Sequence, residues 1–60
     1  MNTANIYMRQ PGKPNSPFRL TLVRVLSIIS DDEFLGQLMN QDITFQFKRD
    51  QQGVYVPFAV

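Results

Sequence analysis

Few side chains in this sixty-residue chain can do chemistry. Histidine and cysteine are both missing, so the usual general base and the thiol nucleophile are unavailable. Three carboxylates are consecutive, Asp31, Asp32 and Glu33. Such a cluster would suit a paired-carboxylate acid and base, or a hard cation. Its setting favours a structural role instead. Ser30-Asp31-Asp32-Glu33 has the spacing of a capping box, with Ile29 and Phe34 as the flanking hydrophobic staple. Asp42 and Asp50 stand beside turns, where Asp bonds its own backbone. Gly12, Gly36 and Gly53 are scattered and form no phosphate loop. The residues therefore define no catalytic set, no metal site and no cofactor site, and the chain is not expected to be an enzyme.

Recognition chemistry is the alternative. The cations are Arg9, Lys13, Arg19, Arg24, Lys48 and Arg49, and the net charge is only +1. That charge does not by itself announce nucleic acid or an anionic membrane. If residues 18–29 form a strand, Arg19, Thr21, Thr44, Gln46, Lys48 and Tyr55 share one sheet face. A basic face with an aromatic is a weak form of the stacking platform that holds single strands. Arg19, Lys48, Arg49 and Tyr55 are thus the nucleic-acid candidates. An ordinary solvated sheet face is the competing reading.

For a protein partner there are two handles. Pro14-Asn15-Ser16-Pro17-Phe18-Arg19 has the P-x-x-P-x-basic spacing read by aromatic grooves of SH3 type, which makes Pro14, Pro17 and Arg19 candidates. A plain rigid loop explains the same residues. The second handle is the terminal run Val54-Tyr55-Val56-Pro57-Phe58-Ala59-Val60, which carries no charge. Exposed edge strands are normally guarded by Lys or bulges, so Val54, Tyr55, Val56 and Phe58 suggest an edge that another chain covers.

Size points the same way. A chain this short holds one domain, residues 1–60, whose apolar burial and conformational entropy nearly cancel. Without cysteine no disulfide can help, which leaves association, including a homodimer. The 43% hydrophobic content suits a folded core. No run approaches the length of a membrane span, and Met1-Asn2-Thr3-Ala4-Asn5 lacks the pattern of a signal peptide. A cytoplasmic address is expected, without membrane contact.

The elements that must position these residues follow from spacing. Ile6-Tyr7-Met8 suggests a short strand, followed by a Pro-rich loop at 10–17 whose prolines at 11, 14 and 17 have the polyproline II period. Residues 18–29 fit a strand, with Phe18, Leu20, Leu22, Leu26 and Ile28 on the side turned to the core. They fit a helix nearly as well, but their β-branched content tips the balance to strand. The capping box predicts a helix over 31–39, or 30–40 with its cap and its end at Asn40. Alternation at Ile43, Phe45 and Phe47 and again at Val54, Val56, Phe58 and Val60 predicts a β-hairpin over 43–60, closed near Gly53, with the three phenylalanines inward.

The expected fold is α+β, in ββαββ order: an antiparallel sheet of three to four strands with one short helix on one face. The alternative is two helices plus a β-hairpin, winged-helix-like. The expected function is a small non-catalytic protein-binding accessory or regulatory module, an inhibitor of a partner being one form. It would act through the apolar edge strand and sheet surface. The alternative is nucleic-acid binding through a basic sheet face or a helix and wing.

Overall fold

The computed structural model describes residues 2–60 and contains five strands and no helix among them. They are β1 (Asn2–Arg9), β2 (Phe18–Ser30), β3 (Glu33–Leu38), β4 (Thr44–Arg49) and β5 (Tyr55–Ala59). Each pairs antiparallel with the next, and β1 meets β5 in parallel at Met8 and Tyr55, closing a barrel. The α+β expectation is therefore wrong, and so is its winged-helix-like alternative. The fold is all-β.

The helix expected over 30–40 is a β-turn and a strand. Ser30 Oγ accepts the amide of Asp32, two residues on, at 3.3 Å. That is the short-range bond of a Ser turn, not a helix cap. Asp31 and Asp32 form a two-residue loop between paired Ser30 and Glu33. Ser and Asp favour caps and tight turns for the same reason: their oxygens compete for nearby amides. The motif therefore does not distinguish the two outcomes, and tertiary pairing decides. As a strand, residues 33–38 pair with β2 on one side and β4 on the other.

Gly36 fits this outcome. A Cβ there would lie 2.5 Å from the Arg24 carbonyl oxygen and 2.9 Å from the Phe34 ring. Only glycine lets β3 approach β2 so closely, beside the register shift between Val25 and Ser27.

The segment 18–29, open between helix and strand, is strand throughout, and β2 extends to Ser30. Its first part pairs with β1 and its second with β3, and two register shifts bend it between them. The expected inward side, however, is reversed over its first part. Val23, fully buried, belongs to the core, whereas Phe18, Leu20 and Leu22 are exposed, and so are Leu26 and Ile28 farther along the strand.

The hairpin over 43–60 is present as β4 and β5. Gly53 takes φ +79°, and Asp50 accepts the amides of Gln52 and Val54 at 2.8 and 3.1 Å. Phe45 and Phe47 are buried as expected, but Phe58 is 39% exposed. The interior is aromatic. Phe34 stacks on Phe47 with centroids 4.6 Å apart, and Phe45 meets Phe47 edge-on at 6.2 Å. Met8 and Val23 complete the buried cluster.

Candidate functional site

The Pro-rich loop is folded, not extended. Lys13 donates its amide to Gln10 O at 3.0 Å and Ser16 donates its own to Lys13 O at 3.1 Å, making two successive turns. Pro11 and Gly12, with φ +71°, occupy the central positions of the first. Arg9 pins the second by donating to Ser16 O at 2.6 Å. Pro14 lies inside a turn, so Pro14–Pro17 does not present the polyproline II ridge of a P-x-x-P ligand. Gly12 N bonds Pro57 O at 2.9 Å, which ties the loop to β5.

That tie changes the C-terminal surface. Val54 and Val56 are buried, Tyr55 is half-buried with its ring 5.2 Å from Phe34, and Pro57 is fully buried. Strand β5 has β4 on one side and the Met8 bridge on the other. Of the edge candidates, Phe58 is the exposed one.

The basic face is divided in the same way. Lys48 pairs with Glu33 at 3.6 Å, and Arg49 pairs with Asp32. The Asp32 carboxylate, by accepting that hydrogen bond, holds the Arg49 guanidinium above its ordinary range. Arg49 also lies 5.9 Å from the Tyr55 ring centroid. Arg19 stands apart on β2, exposed and opposite Met8. The four nucleic-acid candidates thus form no common face.

An unforeseen surface lies on the outside of the β1–β2 ladder. Tyr7 is the direct partner of Leu20, and its ring meets Phe18 edge-on at 5.9 Å. Leu22 continues the row on β2. These four are 52%, 57%, 49% and 43% exposed respectively. Arg9, 5.3 Å from the Phe18 centroid, borders one end. Arg24, bonded to Gln37 at 2.9 Å, borders the other. Sequence reasoning missed this row because it took the Phe18, Leu20 and Leu22 side for core. The signal against that choice was the pair Val23 and Val25 on the opposite side, β-branched and compact enough for a small barrel interior.

Beside the row is a hollow of about 480 Å³ lined by Phe18, Arg19, Leu22, Leu38 and Met39, with Pro11 and Pro17 as part of its wall. Arg9 and Arg19 line it, and no carboxylate does. A smaller hollow of about 190 Å³ is lined by Ile6, Ile28, Phe34 and Tyr55 together with Asp31 and Glu33, and by no cation. Among the described residues no group of three or more His, Cys, Asp or Glu is placed to hold a metal, and no helix is long and apolar enough to cross a membrane.

Comparison with protein-family models, with curated proteins and with solved structures returned no match.

Proposed function

We propose that this protein is a non-catalytic protein-binding module whose contact surface is the outer face of β1 and β2. The observation that carries this reading is the exposed row Tyr7, Phe18, Leu20 and Leu22. Antiparallel sheets that expose one face normally dress it with polar residues. A contiguous row of four large apolar side chains on a chain this small is the mark of a surface that another molecule covers. Two aromatics within it match the composition of interface centres. Charged partners at its borders, Arg9 and Arg24, suit a polar rim.

Nucleic acid is supported less well. Lys48 and Arg49 are engaged by carboxylates, and Tyr55 packs against the core. The test is an affinity capture run with nuclease, using wild type, Leu20→Lys and, as a control elsewhere on the surface, Val60→Lys. The expected result is a defined protein retained by wild type and Val60→Lys and lost by Leu20→Lys. Retention by a folded Leu20→Lys variant overturns the proposal. So does recovery that depends on intact nucleic acid.

A further inference from the structure

We infer that the partner of the larger hollow is a second copy of this chain, docked head to tail through its β2–β3 turn. The inference rests on the reading of β1–β2 as a protein-binding face, since Phe18 and Leu22 belong to both the row and the hollow. It names what enters beside that face.

Among the described residues the fold leaves several charged side chains without an ion-pair partner. Three ion pairs, Arg9–Asp50, Lys48–Glu33 and Arg49–Asp32, satisfy six charged side chains. Among the described residues Lys13, Arg19, Arg24, Asp31 and Asp42 have no ion-pair partner. Arg24 is held by Gln37, while Lys13 and Asp42 line neither hollow. That leaves Arg19 in the larger hollow and Asp31 at the rim of the smaller one. The larger hollow is lined by cations and no acid, and the smaller one by acids and no cation. Arg49 reaches the turn beside the smaller one but spends its close contacts on the Asp32 carboxylate and the Asp31 carbonyl oxygen.

The turn also carries apolar surface. Ile28 is 76% exposed and Ile29 is 50% exposed, immediately before Ser30-Asp31. It is held in shape from within the chain. Arg49 donates its amide to nothing outside this turn: the acceptor is Asp32 O at 2.8 Å. Its guanidinium bonds the Asp32 carboxylate and, at 3.2 Å, Asp31 O. The Asp31 carboxylate is left exposed on a braced turn beside two isoleucines. The larger hollow offers Leu22, Leu38 and Met39 as apolar walls and Arg19 as the counter-ion. Burial of the isoleucines drives the contact, and the Arg19–Asp31 pair sets its orientation. Because donor and acceptor surfaces differ, the contact is heterologous. Its repetition closes a ring or extends a filament.

Sedimentation velocity over a range of concentrations tests this. Wild type is expected to sediment faster than a monomer. Arg19→Glu alone and Asp31→Arg alone are each expected to fall to the monomer value, because each faces its own kind. An equal mixture of the two variants should regain association, since each contact between one variant and the other joins opposite charges, while contacts within either variant stay repulsive. The double variant Arg19→Glu/Asp31→Arg should associate as wild type does, while circular dichroism reports an unchanged barrel. A wild type that stays monomeric overturns the inference, as does association that neither reversal weakens. Failure of both the mixture and the double variant to recover also overturns it. A monomeric wild type whose capture of another protein still depends on Leu20 would remove the second copy and leave the β1–β2 reading standing.

Discussion

The two hairpins that face each other across this barrel treat their apolar residues in opposite ways. In β3–β4 the large rings point inward: Phe34 opposite Phe47 in the ladder, and Phe45 opposite Gly36. The outward positions are Glu33, Gln37, Thr44, Gln46 and Lys48, linked to one another by hydrogen bonds and an ion pair, with Leu35 among them. In β1–β2 the inward residues are slimmer, Ala4, Ile6, Met8, Thr21 and Val23, and the bulky ones are outside. A five-stranded barrel has little interior volume, and a small barrel fills it by setting large side chains against small ones. Three phenylalanines from one wall leave room for valine and alanine from the other. Where Phe18, Leu20 and Leu22 lie is thus decided partly by residues more than ten positions away.

The sharpest break of this comparison is at Phe47, which is fully buried and stacked on Phe34. Phe47→Ala should cost about 3–5 kcal/mol. Total stability at this size is on the order of 3–9 kcal/mol, so the variant is expected to be largely unfolded by circular dichroism at room temperature. A cooperative urea transition with an unchanged midpoint would show that the rings do not fill the interior.

Next in size is Gly36→Ala. The atom that its new Cβ meets first is a backbone carbonyl, which cannot rotate aside as a side chain would. The strands must separate beside the bulge, at about 1–3 kcal/mol. A helix over 30–40 would predict the reverse, since alanine improves an interior helical glycine by about 1 kcal/mol. The sign of one urea midpoint shift therefore decides between the two structures.

How much of this was legible in the sequence depends on the range of the interaction that settles each feature. The alternation at Phe45 and Phe47 and the turn at Gly53 are local, and both are found. The β-branched run in β2 also reads correctly as strand. The Ser30-Asp31-Asp32-Glu33 turn is local but degenerate, because hydroxyl and carboxylate oxygens serve a cap or a hairpin loop equally well. Gly36 was the available correction: a glycine in the middle of a nine-residue helix is a weakness, while beside a bulge it is a requirement. The burial of Val54 and Val56 depends on closure of the barrel and on the Gly12–Pro57 bond. Alternation within 54–60 places Val54 and Val56 on one face of a strand, but it does not reveal that β5 has neighbours on both sides. The outward row is hidden for the same reason, since its side is chosen by the aromatic wall across the barrel.

The turn that joins β4 to β5 gives a smaller and pH-dependent effect. The Asp50 carboxyl is held below its ordinary range, first by the Val54 amide and then by the Gln52 amide and Arg9, with partial burial opposing them. A lowered folded-state value means that the ionised group adds stability above the ordinary Asp range. That stability is lost as the pH falls through the folded-state value. The urea midpoint of wild type should therefore decline in acid, below about pH 4. Asp50→Asn should be less stable than wild type at neutral pH, and the gap should narrow as the solution is acidified. A gap independent of pH would mean that the charge on Asp50 plays no part in holding the turn.

The smallest expected change tests the comparison most directly, because it uses two neighbours on one strand. Leu22 and Val23 are adjacent in β2 and face opposite ways, Leu22 beside the outer row and Val23 fully buried. Threonine is close to valine in shape, so Val23→Thr adds little strain but places a hydroxyl in an apolar interior without a partner, at about 1–3 kcal/mol. Leu22→Thr meets solvent and should stay within about 0.5 kcal/mol of wild type. Urea titration of the two variants reads out the direction of β2 independently of any binding partner. A small effect at Val23 with a large one at Leu22 would mean that the strand is turned over. The apolar row would then be core, and the proposed contact surface would vanish with it. The expected order instead leaves stability almost untouched at Leu22 while, in the same variant, association through the hollow that Leu22 lines is weakened. Such a separation of folding from binding is what distinguishes a contact surface from a core that happens to be poorly covered.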